Sequence, residues 1–147
     1  MTCGDTTPMN VHIVLFSTHA TAGPLLSERR RLARPPFLEE VREDWADTTP
    51  RIWRLVEGTE EPFGQALTVW TDGELTTLGL RLRMKMAWHS LTGNTHAPAI
   101  VSVTPAIEWA HKSFGQTAVA RQDLLVFLRD HPEVAEQMRH ITAVGRR

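Results

Sequence analysis

The fold is decided by residues 65–91, which read QALTVWTDGELTTLGLRLRMKMAWHSL. In the second half, large apolar side chains occupy every second position, with small or cationic residues between them. The apolar set is Leu78, Leu80, Leu82, Met84, Met86 and Trp88. Strict alternation is the period of a β-strand with one buried face, whereas a helix, turning about 100° per residue, would split the set into two opposed stripes. The pattern therefore predicts a long strand over residues 78–88.

A turn precedes this segment at Asp72-Gly73. A two-residue type I′ turn needs positive φ at both central positions, and Asp-Gly is one of the dipeptides that provide it. Leu67 and Val69, before the turn, also alternate with smaller or polar residues. We therefore expect a long β-hairpin over residues 65–88 at the centre of the fold.

Three other segments have the composition of strands. Residues 11–17 form a nearly continuous apolar run rich in β-branched side chains, which is typical of a central strand buried on both faces. Residues 51–57 and 97–103 are further strand candidates. Pro98 places the start of the last strand at a sheet edge or at the strand mouth, because proline has no N–H to donate.

Prolines mark several of the predicted helices. Pro36 can occupy the first turn of a helix, where a missing N–H costs nothing, and Leu38, Val41 and Trp45 then share one face. Thr104-Pro105 has the pattern of an N-cap followed by a first-turn proline. The predicted helices are residues 25–33, the segment beginning at Pro36, the segment beginning at Thr104-Pro105, and residues 117–129 and 132–144.

These elements predict an α+β fold. An antiparallel sheet centred on the hairpin is packed by helices, and the C-terminal third is helical. Residues 1–10 are polar and patternless, so we expect a flexible N-terminal tail followed by a single domain over residues 11–147. The tryptophans are expected to share the core rather than to stack on bases. They are Trp45, Trp53, Trp70, Trp88 and Trp109.

Composition limits the classes of function. The chain has 147 residues, a net charge of −1 and 41% hydrophobic residues, so no overall field attracts nucleic acid or a membrane. Its single cysteine, Cys3, cannot form an internal disulfide, and no apolar run is long enough to cross a membrane. The histidines lack the spacings of a metal site. We expect a cytoplasmic protein without a metal or cofactor.

One cluster of charges indicates a binding surface. On the predicted strand, Arg81, Arg83 and Lys85 share one face, with successive cations about 6.6–7 Å apart. Such a face can bind an acidic patch of another protein, or the phosphates of a nucleic acid, whose binding weakens as salt rises. It can equally be a solvated outer face that discourages edge-to-edge aggregation. The pattern leaves the oligomeric state open.

A second group of residues indicates a different function. His19 lies in the hydroxyl-rich segment 16–20, directly after the first predicted strand, where open α/β sheets place ligands and where a histidine can act as nucleophile or base. Residues 75–79 read Leu-Thr-Thr-Leu-Gly, and the strand at 97–103 runs into Thr104-Pro105. Together these segments resemble the histidine phosphatases, whose first strand ends in Arg-His-Gly and which share a Leu-Thr-x-x-Gly motif.

The resemblance implies phosphohydrolase activity, with His19 taking the phosphoryl group. The chain also departs from the family pattern, because Thr18 and Ala20 stand where the family has arginine and glycine. Phosphoryl transfer depends on cations that neutralise the developing charge, so these departures would weaken transition-state stabilisation and leave open whether the enzyme is active or degenerate. The sequence thus favours a small non-catalytic binding or regulatory protein that acts through a surface. The alternatives are a phosphohydrolase centred on His19 and nucleic-acid binding through Arg81, Arg83 and Lys85.

Overall fold

A computed structural model describes residues 7–17, 20–33, 41–48, 51–58, 64–76, 80–92, 96–106 and 114–143. Within these residues the protein has six strands and four helices. The strands are β1 (Met9–Leu15), β2 (Val41–Trp45), β3 (Arg54–Gly58), β4 (Gly64–Thr71), β5 (Glu74–Leu75) and β6 (Ala99–Pro105). The helices are α1 (Ala22–Ala33), α2 (Leu80–Thr92), α3 (Phe114–Asp130) and α4 (Val134–Ala143).

The six strands form one sheet in the order β1-β6-β4-β3-β2, and β5 pairs with β4. The pairs β2–β3, β3–β4 and β4–β5 are antiparallel. Two bonds fix the direction of β1 against β6: the Phe16 N–H donates to the Pro98 carbonyl at 2.8 Å, and the Ala106 N–H donates to the Pro8 carbonyl at 2.7 Å. Residue numbers rise along β1 as they fall along β6, so this pair is also antiparallel. The predicted α+β class, with a helical C-terminal part, is confirmed.

Strand β1 lies at one end of the sheet order, so its predicted central position is wrong. Val11, Ile13 and Leu15 are exposed, although their alternation suits a buried face. The apolar run marked the strand correctly, because β-branched residues favour extended backbone. The position of β1 in the sheet depends instead on which strands pair with it. Met9 and Asn10, expected in the flexible tail, belong to β1, and residues 1–6 lie outside the described residues.

The turn at Asp72-Gly73 has the predicted type I′ conformation. Asp72 has φ 55° and Gly73 has φ 71°, and the flanking residues Thr71 and Glu74 pair across the two strands. The strand after the turn is only two residues long. The hairpin therefore starts as predicted but does not extend to residue 88.

The predicted strand at residues 78–88 is wrong, because Leu80–Thr92 is helix α2 and residues 77–79 lie outside the described residues. The two stripes expected for a helix are both present. Leu82 and Met86 are buried, at 0% and 4% exposure, while Leu80, Met84 and Trp88 are exposed. Residues 80–91 contain no valine, isoleucine or threonine and are rich in leucine, methionine, arginine, lysine and alanine. These residue types favour a helix, and this local signal outweighed the alternation.

Residues 41–45 form strand β2, so the predicted helix from Pro36 through Trp45 is wrong in this part. The cause is cross-strand pairing with β3. The Arg54 side chain bonds Glu43 at 3.0 Å, and its guanidinium lies 4.9 Å from the centre of the Trp45 ring. Opposite-charge and aromatic pairs across strands are the usual stabilising unit of a sheet. Thr104 and Pro105, expected to open a helix, belong to β6.

The chain divides into two compact units. Unit 1 consists of Met1–His12, Pro36–Leu67 and Ser102–Pro132, and unit 2 consists of Ile13–Pro35, Thr68–Val101 and Glu133–Arg147. Strands β1, β4 and β6 each contribute residues to both units. Helix α3 belongs to unit 1, and α1, α2 and α4 belong to unit 2.

In unit 1, a buried carboxylate joins strands β2 and β3 to helix α3. Glu57 is buried and bonds Arg42 at 3.0 Å, and its other oxygen accepts a bond from Arg121 on α3. Gly64, opposite Glu57 in the ladder, leaves room for Leu124 of the same helix. A buried carboxylate needs such partners, because an unpaired charge is costly away from water.

A second tie in unit 1 holds residues before β1 against α3. The Asp123 carboxylate accepts a bond from the Thr7 N–H at 3.0 Å. The Thr7 side chain and, second, its backbone N–H hold the pKa of Asp123 below the ordinary value of an aspartate. The ionised form is therefore favoured in the folded state.

We expect the stabilisation by Asp123 to be present above the unfolded-state pKa, about 3.9, and to be lost as pH falls through the lower folded-state pKa. Urea unfolding should show that the free energy of unfolding differs between the wild type and Asp123→Asn above this pH range. The difference should disappear in acid. Asp44→Asn, at an exposed position of β2, is the control. An Asp123→Asn difference that is constant with pH would contradict this account.

Unit 2 is built around buried apolar side chains. Fully buried members include Leu25 of α1, Leu82 of α2, Ile100 of β6 and Met138 of α4. Helices α1 and α2 contact each other. The Ala97 N–H donates to the Thr142 carbonyl at 3.1 Å, which ties α4 to the segment before β6. One face of helix α2 thus packs into this core.

Replacing Gly73 by alanine tests the turn of unit 2. An added Cβ would lie 3.1 Å from His96 Cδ2, and positive φ disfavours any L side chain, so we expect a loss of about 1–2 kcal/mol in the free energy of unfolding. Gly23→Ala in α1 is the control, because its Cβ would have its nearest neighbour at 3.9 Å. Chemical denaturation should show no loss for the control, and a Gly73→Ala protein as stable as wild type would refute the strain.

Candidate binding surface on helix α2

Helix α2 carries the most extensive run of exposed apolar side chains on any helix in the described part of the chain. We call this surface the apolar ridge. Its residues are Leu80, Met84, Ala87, Trp88 and Leu91. The four large side chains are 73%, 63%, 66% and 82% exposed in that order. At about 100° per residue, the five positions fall within an arc of about 100°, so they form one continuous stripe.

The opposite side of α2 packs into unit 2. Leu82 and Met86 are buried there, and Lys85 and His89 are half-buried beside them. A surface helix of a globular protein usually has one apolar face and one polar face. Helix α2 has two apolar faces, and within the described part of the chain only one of them is covered by other elements.

Two arginines border the apolar ridge. On the helical wheel, Arg81 follows the Trp88 edge of the stripe and Arg83 follows the Ala87 edge. Both are exposed, and neither guanidinium forms a hydrogen bond or ion pair within the described ranges. The ridge is therefore apolar along its centre and cationic at both borders.

Lys85 does not belong to this border. Its Nζ donates to the Thr71 carbonyl at 3.4 Å and to Glu74 Oε2 at 3.1 Å. The prediction that Arg81, Arg83 and Lys85 share one strand face is thus wrong, because these residues lie on a helix, where Arg83 is on the opposite border of the ridge from Arg81. Lys85 is half-buried and pairs with Glu74 of the same chain, while both arginines are exposed. The binding role of Arg81, Arg83 and Lys85 stays a prediction.

The charge of α2 has a single sign. Residues 80–92 contain arginine, lysine and histidine but no aspartate or glutamate. Arg81 and Arg83 lie in the first turn, where the helix macrodipole already contributes partial positive charge and where acidic side chains are normally favoured. The N-terminal half of the ridge therefore presents a local positive potential, although the chain as a whole has a net charge of −1.

A cluster of polar side chains attaches α2 to the turn between β4 and β5. His89 Nε2 lies 3.4 Å from Asp72 Oδ2, and His96 Nδ1 lies 3.7 Å from Asp72 Oδ1. The His96 ring also packs against Gly73. Lys85 and His89, which are one helical turn apart on α2, therefore both contact the β4–β5 turn. The helix face that carries the ridge is thereby held in one orientation.

The Asp72 cluster has two imidazoles and a carboxylate, which are groups that also bind metals. Within the described ranges, however, no set of three or more His, Cys, Asp or Glu side chains is arranged to hold a metal ion. Nor does any helix of the described part combine the length and hydropathy needed to span a bilayer. Sequence reasoning missed the Asp72 cluster because its members are far apart along the chain.

His19, the centre of the alternative hypothesis, lies outside the described residues. One observation agrees with the histidine-phosphatase resemblance: a helix follows the segment Leu-Thr-Thr-Leu-Gly, as in that family. The strand directions count against it. The Phe16–Pro98 bond places Phe16, just after β1, beside the start of β6, whereas the resemblance needs the end of β1 to lie beside the end of β6.

Comparison of the chain with protein-family models, with curated proteins and with solved structures found no match.

Removing the Lys85 ammonium tests whether it is a structural group. Lys85→Met loses the bonds to Thr71 and Glu74 and should lower the free energy of unfolding by about 0.5–1.5 kcal/mol. Arg83→Met, on the same helix but exposed, should change it by less than about 0.5 kcal/mol. Chemical denaturation measures both. Equal effects of the two substitutions would show that Lys85 and Arg83 are equivalent and would contradict this assignment.

Proposed function

We propose that this protein is a non-catalytic protein-binding module that acts through the apolar ridge of α2. The observation that carries the proposal is the ridge itself: four large apolar side chains, each more than 60% exposed, lie on one side of a 13-residue helix. Single exposed apolar residues are ordinary, but a contiguous apolar stripe with a polar border is typical of an interaction site. Binding would remove this stripe from water.

The residue types of the ridge support binding to a protein. Tryptophan, methionine and arginine are enriched at the centres of protein interfaces, where a few large side chains provide most of the affinity. Along the helix axis, Trp88 and Met84 occupy the middle of the ridge, and Leu80 and Leu91 lie at its two ends. An amphipathic helix docking against an apolar surface is a recurrent mode of recognition.

The orientation of α2 also supports the proposal. The contacts of His89 and Lys85 with the β4–β5 turn hold the helix in place before any partner arrives. A surface that is already ordered loses little conformational entropy on binding. The ridge is therefore suited to bind a partner without prior rearrangement of α2.

Nucleic-acid binding has less support. Three cations on one strand face would have followed a phosphate backbone, but Lys85 is paired with Glu74, and Arg81 and Arg83 lie on different sides of the ridge. A nucleic-acid surface is normally strongly basic and polar. The centre of this surface is apolar.

Met84→Glu provides the test. A buried, unpaired carboxylate in an interface is costly, so we expect the substitution to weaken binding at least about tenfold, while the exposed position leaves folding intact. The probe is a display library of amphipathic helical peptides selected on the wild-type protein. Selected peptides should bind Met84→Glu poorly, as measured by fluorescence anisotropy.

Val119→Glu is the matched control, because Val119 is also an exposed apolar residue (58%) but lies on α3. It should leave peptide binding unchanged. Selected peptides that bind Met84→Glu as tightly as wild type, or a selection that yields no binder, would overturn the proposed function.

A further inference from the structure

We infer that the partner of the apolar ridge is an amphipathic helix with acidic side chains on both borders of its apolar stripe. This inference rests on the proposed function and specifies the chemistry of the partner. The two arginines lie on opposite borders of the ridge and have no acidic neighbour on α2. A partner helix that covers Met84 and Trp88 brings its own border residues next to Arg81 and Arg83.

Charge complementarity selects the sign of those border residues. When two helices pack along an apolar seam, the residues beside the seam form interhelical ion pairs that decide which partner is accepted. A carboxylate beside Arg81 or Arg83 also meets the positive end of the α2 macrodipole. A lysine or arginine at the same place meets two like charges. The surface therefore favours acidic partners and rejects basic ones.

A second copy of this chain does not provide that complement. In a symmetric pair the same face of α2 would meet itself, and every charged side chain on α2 is cationic. Such a pair would bury Trp88 and Met84 well but would bring only like charges together at its borders. The charges thus favour a different protein as the partner.

An anionic membrane surface is also a weaker match. Helices that lie on membranes have a polar face rich in lysine and arginine, and each basic residue near the surface contributes about 1 kcal/mol. Among the described residues of α2, the exposed cations beside the ridge are Arg81 and Arg83, and Lys85 is half-buried and paired with Glu74. The face of α2 opposite the ridge is buried in unit 2 rather than polar.

The dimensions of the ridge indicate the strength of binding. A helix of 13 residues is about 20 Å long, which is enough for about two heptads of a partner helix. An interface of this length is at the small end of the range for specific complexes. We expect dissociation constants in the micromolar range, with Trp88 as the principal anchor.

The experiment uses two helical peptides of about 20 residues with the same leucine stripe. One has glutamate on both borders of the stripe, and the other has lysine at the same positions. Fluorescence anisotropy on the full-length protein should show binding of the glutamate peptide at least about tenfold tighter than the lysine peptide. Raising the salt from about 0.05 to about 0.5 M should reduce this difference.

The arginines are then reversed in charge. Arg81→Glu and Arg83→Glu should each weaken binding of the glutamate peptide at least about threefold, and the double variant should prefer the lysine peptide. Arg139→Glu, an exposed residue of α4, is the control with the same change in net charge and should have no effect. Circular dichroism checks that all variants remain folded.

The outcomes separate this inference from the proposed function. If the wild type binds both peptides equally and Met84→Glu binds neither, the acidic preference is overturned. The ridge then stays a protein-binding surface. Binding of neither peptide, together with binding to vesicles of phosphatidylcholine and phosphatidylglycerol, would overturn both in favour of a lipid surface. Self-association of the wild type that is abolished by Met84→Glu, measured by sedimentation, would identify a second copy as the occupant and overturn the inference.

Discussion

The attachment of α2 to the β4–β5 turn is the constraint on which the candidate surface depends. Asp72 adopts positive φ in the turn, and its carboxylate lies within 4 Å of both His89 and His96. Lys85, one turn before His89 on the helix, contacts the same turn through Thr71 and Glu74. A helix held at one side by these contacts, and by Leu82 and Met86 in the core, cannot rotate without losing them.

This constraint explains why apolar side chains remain exposed. The alternating pattern supplies two apolar stripes on a helix, and unit 2 covers the stripe that contains Leu82 and Met86. Once that stripe is buried, the helical period places Leu80, Met84 and Trp88 on the far side. The apolar ridge is a geometric consequence of the pattern, and Arg81 and Arg83 determine what chemistry can cover it.

The sequence was sufficient to predict the local structure wherever neighbouring residues along the chain decide the conformation. The type I′ turn followed from Asp72-Gly73, because few other dipeptides tolerate positive φ at both positions. The C-terminal helices α3 and α4 followed from helical periodicity. The strand at residues 78–88 failed because two signals conflicted: alternation favoured a strand, and residue propensities favoured a helix. Giving the propensities more weight would have found α2.

The sequence by itself determined the α+β class, the turn and the presence of a cationic, apolar segment after it. Only the tertiary structure decided that β1 lies at the edge of the sheet, that residues 41–45 pair as a strand, and that Lys85 pairs with Glu74 while Arg81 and Arg83 are exposed. The physical reason is that these outcomes depend on partners distant along the chain. A periodic pattern shows which residues share one face of an element, but it does not show which distant residues pair with them.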